Sequence, residues 1–393
     1  MPQNVNHLDI NSQAYTLINA IHEQVTGVTQ IAPTSTAEFV SVAGKLLASG
    51  TDPLLNAISQ VITNTLVAVR DYDSKFSGLE VDGTRWGNIT RKISFGDQVA
   101  VQDTSYELVD GSSTDMFKIR KPVVLETQYV GSDVMSDYWT IFDTQLDVSF
   151  HDEAEFVRFM SGMLLHIDNV HTQWKENIGR MALCNFIGAK AEADSGNILH
   201  VLTAYNADTG LNLTAQDVMQ PSNFKPFIEW LNAYIETVTD FMQERSQKFH
   251  VNISGYDINR HTPLRNLKVY MLSNFMNKIN SIVLPNEYHD TYLTLSDKRG
   301  VAYWQAIDNP DEVQVTPSYV DSADGSVKTG SAQALTDIIG VLFDEDAIAI
   351  QFPKEVILAS PKNAKDQYTT FWYHLYYRML NDLTENAVVL ALD

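Results

Sequence analysis

Residues 152 to 193 read DEAEFVRFMSGMLLHIDNVHTQWKENIGRMALCNFIGAKAEA. Asp152, with Glu155 three positions on, marks a helix start, and Phe156, Phe159, Met163, Leu164, Ile167, Val170, Trp174, Ile178 and Met181 recur at helical spacing behind it. No proline interrupts the run, so one helix of about 40 residues is predicted, about 60 Å long at 1.5 Å per residue. A compact chain of this length has a radius of gyration of about 21 Å. Such a helix is expected to act as a spine along the molecule, with other elements arranged upon it.

The stretches on either side differ in period. From Arg91 to Tyr129 the pattern alternates, most clearly at Met116 to Ile119 and Val123 to Tyr129, with turn residues at Asp110 to Ser113, and predicts a long hairpin or small sheet. Beyond Gly196 a polar link leads to a second helix, about 227 to 249, whose apolar face is Trp230, Leu231, Tyr234, Val238, Phe241 and Met242. A strand at Leu267 to Leu272, a short helix opened by Ser273 and a hairpin turn at Asp324 and Gly325 follow. The chain is expected to close with a strand at Glu355 to Ala359, an aromatic helix over 366 to 380 and a strand at Ala387 to Leu392. In that last helix Phe371 and Leu375, one turn apart, are expected to pack on the spine. The fold class is therefore α+β.

Residues 1 to 70 carry three short amphipathic pieces, with apolar Leu17, Ile18, Ile21 and Val25 in the first. Ser35 with Glu38 and Asp52 with Pro53 provide start signals for the other two. Separated at Gly27 to Pro33 and at Gly50, they suit an arm laid over other surfaces, or a small helical subdomain.

The 393 residues allow two or three domains at about 150 residues each. Lysine and arginine number 27 against 49 aspartates and glutamates, a net charge of −22, which argues against attraction to nucleic acid or anionic lipid. The charged fraction of 19% is below the usual value of about 25%, so much of the surface is Asn, Gln, Ser and Thr, residues cheaper to bury at a contact. Cys184 is the sole cysteine, which excludes an intrachain disulfide and a thiolate zinc cluster. Residues 1 to 10 lack a secretory signal pattern, and the longest charge-free run, Pro53 to Val69, is broken by Asn56, Gln60 and Asn64. A soluble protein without a membrane partner is expected.

Motifs for chemistry are sparse. No two of the 19 glycines lie two apart, which removes the dinucleotide fingerprint, and Gly44 with Lys45 lacks the upstream glycine of a phosphate loop. His22 with Glu23 has no second histidine one turn on, and His166 and His171, five apart, do not share a helix face. Asp344, Glu345 and Asp346 read as a solvated turn. The best enzyme-like set is Ser222 with Lys225, Ser296 with Asp297, and Lys328, Thr329, Gly330, in the order used by penicillin-recognising serine enzymes. That chemistry needs the lysine one helical turn after the serine. Pro226 disfavours a helical Lys225, and Lys298 replaces the expected asparagine. No catalytic, cofactor-binding or metal residue is assigned, and no cofactor is expected.

Five stretches resemble, in order, a known family. They are GLEVDGTRWGNITRKIS from Gly78, DMFKIRKPVVLETQYVG from Asp115, YWTIFDTQLDVSF from Tyr138, GVLFDEDAIAI from Gly340 and FWYHLYYRMLNDLTENAVVLAL from Phe371. The chain resembles the major capsid proteins of tailed double-stranded DNA bacteriophages with the Hong Kong 97 type fold. The resemblance implies an amino-terminal arm (1–75) and an extended loop with its base (76–140) lying over a neighbour. It also implies a peripheral domain on the spine helix (141–195 and 341–393) and an axial domain (196–340). It further implies self-assembly as pentamers and hexamers into an icosahedral shell around double-stranded DNA, assembled in the host bacterial cytoplasm. A portal protein at one vertex and scaffolding or cement proteins are the implied partners. The shell would enclose DNA without a basic binding segment, since the densest basic spots, Arg91 with Lys92 and Lys118 with Arg120 and Lys121, fall in the loop. Lys118 or Lys121 could serve covalent crosslinking, but the loop lysines read as ordinary surface residues. Bacterial encapsulin shells, similar in fold, are the alternative, and a serine hydrolase the remote one.

Overall fold

The expected long helix is present in the computed structural model as α1, Glu153–Ala193, 41 residues without a break. The structure describes residues 74–81, 89–98, 100, 102, 117, 119, 121–142, 153–282 and 297–393, so the arm and its three helices lie outside the described residues. In chain order the early strands are β1 (Glu80–Val81), β2 (Ile89–Phe95), β3 (Val124–Val130) and β4 (Asp133–Phe142). After α1 come β5 (Ile198–His200), α2 (Val201–Thr209), α3 (Ala215–Val218) and α4 (Pro221–Gln243). Then follow β6 (Leu267–Leu272), α5 (Ser273–Ile282), β7 (Asp297–Val301), β8 (Val313–Val315), β9 (Ser318–Val320), β10 (Val327–Thr329) and β11 (Gln333–Leu335). The chain closes with β12 (Ile338–Asp344), β13 (Ile348–Ala359), β14 (Tyr368–Asn381) and β15 (Ala387–Ala391). Among the described residues the chain forms two compact units.

The first unit includes 132–176 and 352–377. Here β4 and β14 pair antiparallel over ten positions, from Tyr368 opposite Phe142 to Tyr377 opposite Asp133. Residues 366 to 380 are thus largely a strand and not the expected helix. Phe371 and Leu375 are four apart, a spacing that puts two side chains on one face in both periods, 2.0 and 3.6. The alternation of Thr369, Phe371, Tyr373, Leu375 and Tyr377 inward decides for the strand, as their β-branched and aromatic character favours. Phe371 is fully buried against Ile141, with Trp139, Ile357 and Ala359 packed around it, and its ring stacks on Trp139 at 5.7 Å. Farther along the strand the Tyr373 ring stacks on His171 of α1 at 3.4 Å, with Trp174 at 5.8 Å.

The second unit comprises 75–131, 177–351 and 378–393. Its core is a five-stranded sheet of order β5-β15-β12-β6-β7, in which every residue of β12 and β15 is buried. Strands covered on both faces need continuous apolar runs, and IIGVLF and AVVLA supply them. Gly340 opposes Met271, and a Cβ there would meet the Met271 side chain at 3.1 Å and the Tyr270 carbonyl at 3.2 Å. Against the later part of α1, a Cβ on Gly179 would fall 2.5 Å from the Phe76 Cβ, so only glycine admits that approach. The Asp324–Gly325 turn joins β9 and β10, with Gly325 at φ +73°.

Three details depart from the periodicity. Met181 is exposed although it lies on the expected stripe of α1, as is Phe241 of α4. The latter helix starts at Pro221, six residues early, and ends at Gln243, so its buried face is Phe224, Phe227, Ile228, Leu231, Ile235, Val238, Thr239 and Met242. Phe117 and Ile119 are exposed and belong to no strand.

Phe371→Ala is expected to cost about 3 to 5 kcal/mol, the usual penalty for truncating a buried phenylalanine, measured as a shift in the denaturant midpoint. His171 is buried, its Nδ1 finds no partner among the described residues, and burial, assisted by the Lys175 charge, lowers its pKa to about 3. The unfolded chain takes up this proton near pH 6.5 while the folded one refuses it, so stability falls as pH drops from 6.5 toward 3. The slope due to this group is about 1.4 kcal/mol per pH unit. Unfolding of the native chain and of His171→Phe from pH 7 to 4 should differ by that slope.

Candidate assembly surface

β2 and β3 form a two-stranded antiparallel ribbon in which Ile89 faces Val130, Arg91 faces Gln128, Ile93 faces Glu126 and Phe95 faces Val124. These pairs make up one face, and all eight residues are exposed, Phe95 at 67% and Val130 at 66%. On the other face lie Thr90, Lys92, Ser94, Leu125, Thr127 and Tyr129, turned toward the body of the second unit. The distribution is inverted: apolar residues dominate the exposed face and polar residues the covered one.

The covered face is held by polar contacts. Lys92 Nζ lies 2.8 Å from Asp382 Oδ2 and 2.7 Å from Glu385 Oε1. Arg260 Nη1 is 3.1 Å from the same Glu385 oxygen, and its Nη2 donates to Ser94 Oγ at 2.9 Å. One step along, Arg378 Nη1 donates to Thr90 Oγ1 at 2.7 Å and Arg378 Nε to the Gly131 carbonyl at 2.6 Å. The Thr90 hydroxyl donates onward to Gln351 Oε1 at 2.9 Å. The one apolar anchor is Leu125, packed with Ile253 and Ile258.

Burial alone would lower the Lys92 pKa, but Asp382 and Glu385 together hold it above its ordinary value. Burial would likewise raise Asp382, yet the lysine charge and hydrogen bonds from Lys92 and Thr384 hold it below the usual range. At Glu385 burial wins over Lys92 and Arg260 and pushes the carboxyl up. Lys92 is thus no free basic spot, which corrects its pairing with Arg91 as one; Arg91 lies on the exposed face, 3.7 Å from Glu126.

A second uncovered surface is the outward face of the β4–β14 pair in the first unit. Tyr138 lies against Trp372 at 4.8 Å, Phe142 against Tyr368 at 5.5 Å, and Trp372 stacks on His374 at 6.5 Å. Lys354 sits 5.5 Å from the Tyr376 ring. Tyr138, Phe142, Trp372 and Leu358 are exposed.

The enzyme-like residues are spent elsewhere. Lys225 does stand one turn after Ser222 in α4, because Pro226 near the helix start gives up one backbone bond without ending the helix; the expectation that it bars a helical Lys225 is corrected. Lys225 pairs with Glu229 at 3.7 Å, and Ser222 Oγ donates to Asn223 Oδ1 at 3.4 Å. Lys328 pairs with Asp321 at 3.6 Å, while Ser296, His22 and Lys45 lie outside the described residues. The turn at 344 to 346 is not wholly solvated: Asp344 is buried and accepts from Thr262 Oγ1 at 2.7 Å. His166 is exposed and His171 buried, as their spacing requires. Among the described residues no group of three or more His, Cys, Asp or Glu could hold a metal ion, and no helix is long and apolar enough to cross a membrane. Burial pushes the Cys184 thiol up to about 12, which leaves it a poor nucleophile.

Lys92 is legible in the sequence only as part of a basic pair. A lysine inside an apolar-alternating segment, ITRKISF, is a signal for a buried ion pair, but periodicity by itself assigns Ile89, Ile93 and Phe95 to the covered face.

The fold is that of tailed-phage capsid proteins. A chain from the capsid structure of Staphylococcus phage Andhra superposes with a TM-score of 0.52 at 11% identity, over 83% of this chain and 86% of that one. A chain from the structure of the head fiber and inner core protein gp22 of bacteriophage P68 gives the same score and identity, over 83% and 87%. The model of the Phi29-like phage major capsid protein family matches residues 18–391, and the chain belongs to that family. No curated protein matches it. It is a phage major capsid protein, a structural subunit that joins copies of itself in the shell of the virion.

Proposed function

We propose that copies of the chain meet through the exposed face of the β2–β3 ribbon, laid over a neighbouring subunit. The observation that carries this reading is the inverted ribbon, with Ile89, Ile93, Phe95, Val124 and Val130 in water on a chain that works as an assembly. Exposed apolar surface of this kind, rimmed by Arg91, Glu126 and Gln128, marks a protein contact. The subunits form pentamers and hexamers of an icosahedral shell, with a portal protein at one vertex and scaffolding or cement proteins aiding assembly in the host cytoplasm. Residues 1–75 act as the arm and 76–140 as the extended loop and its base. Residues 141–195 with 341–393 form the peripheral domain, and 196–340 the axial domain that gathers at five-fold and six-fold positions. The protein performs no catalysis.

Double-stranded DNA is the content, taken in without a basic segment. With a net charge of −22, and with Lys92 neutralised by two carboxylates, the chain offers little to exchange for phosphate counterions. DNA entry then requires work from a motor at the portal, and a wall that does not bind DNA lets it slide and leave.

Ile93→Asp together with Phe95→Asp should leave a soluble, folded subunit that sediments without forming shells; shells of normal appearance by electron microscopy would count against the ribbon contact. Shells assembled from the protein alone in a cell full of RNA should be empty. A protein-like absorbance ratio at 260 and 280 nm after gradient purification is expected, and a nucleic-acid ratio that survives nuclease would contradict it.

A further inference from the structure

The hydrophobic effect acting on the ribbon alone would turn its apolar face inward. Ile89, Ile93, Phe95, Val124 and Val130 lie on the exposed side, while the covered side holds Leu125 as its one buried aliphatic residue. A two-stranded ribbon has weak register, and slipping a strand by one residue turns every side chain to the other face. Something other than apolar burial must select the observed facing.

We propose that Lys92 is the positioning residue of the ribbon, its ammonium pinned between Asp382 and Glu385 so that the apolar face is presented outward to a second copy of the chain. The outward half of this statement rests on the contact reading above; the pin itself does not. The cluster is balanced, with Lys92 and Arg260 against Asp382 and Glu385, all within 3.1 Å of an opposite charge. Asp382 and Glu385 are 5% and 9% exposed, and Lys92 22%. If the ribbon turned over, Lys92 would enter water, and two buried carboxylates would share Arg260 alone. Removing one partner from a buried ion set costs far more than the set contributes, because the remaining charges stay desolvated. The penalty falls on the wrong facing, and so the cluster selects the right one.

Neighbouring contacts act in the same sense. Arg260 reaches Ser94 on the ribbon, Thr384 Oγ1 donates to Asp382 Oδ1 at 2.7 Å, and Arg378 holds both Thr90 and the Gly131 carbonyl. Each inward position of β2 is therefore met by a polar partner at a matching place on the body. Lys92 alone among them brings a full charge from the ribbon, and so its replacement should affect facing most.

The test is hydrogen–deuterium exchange on the unassembled full chain. In Lys92→Met, peptides covering 89–95 and 124–130 should exchange about a hundredfold faster, while those covering β12 and β15 stay as in the native chain. Lys92→Met with Asp382→Asn removes the carboxylate that Lys92 alone meets, leaves Arg260 paired with Glu385, and should recover most of the ribbon's protection. Unchanged ribbon exchange in the single variant overturns the proposal, and so does a double variant no better protected than the single one, since the lysine would then act by packing. If the single variant does not fold, the double variant decides by the same reading; failure of both to fold overturns a role confined to the ribbon. Ile93→Asp with Phe95→Asp should leave exchange of the ribbon in the isolated subunit unchanged. Shells formed by that variant would defeat the contact reading and leave the result on Lys92 standing.

Discussion

The structure depends on a helix longer than any single core. At 41 residues α1 extends about 60 Å, and its buried side chains from Ile167 onward are covered by segments far apart in the chain. In the first unit β14 returns about 200 residues later to place Tyr373 on His171 and Trp174. In the second, Phe76, from well before the helix, lies against Gly179, and Trp304, from well after it, receives the Cys184 thiol's hydrogen bond on its carbonyl.

Two kinds of sheet follow from this arrangement. In the β5-β15-β12-β6-β7 sheet the two strands β12 and β15 are buried along their whole length and are almost wholly apolar, with their backbone polar groups paired in the ladder. The ribbon and the β4–β14 pair each retain a face that the described chain does not cover, and these faces carry Phe95, Ile93, Tyr138 and Trp372. In a protein that acts alone such faces would favour aggregation; on the reading proposed above, a second copy of the chain covers the ribbon's apolar face.

The charges divide along the same line. Where the ribbon meets its own body the contact is ionic and hydrogen-bonded, with geometry that accepts one facing. Where it is exposed the face is largely apolar, and a contact made there would tolerate small differences in angle. A subunit that joins copies of itself is well served by a rigid polar root and an adaptable apolar face.

Much of this was legible in the residues. The uninterrupted stripe after Asp152, the alternation from Val123 to Tyr129, the continuous apolar runs near 340 and 387 and the Asp324–Gly325 turn report local period and local backbone freedom, which any 20-residue window contains. The absence of a glycine-rich phosphate loop and the acid excess are likewise local or additive facts. The state of 368–381 was not legible from Phe371 and Leu375, because a spacing of four fits helix and strand alike until β4 arrives to pair with it. Nor was the facing of Ile89, Ile93 and Phe95. Alternation shows that one face of a strand differs from the other; which face is covered depends on what stands opposite. Here that is Asp382, Glu385, Arg260 and Arg378, residues more than 160 positions away, brought there by the tertiary fold.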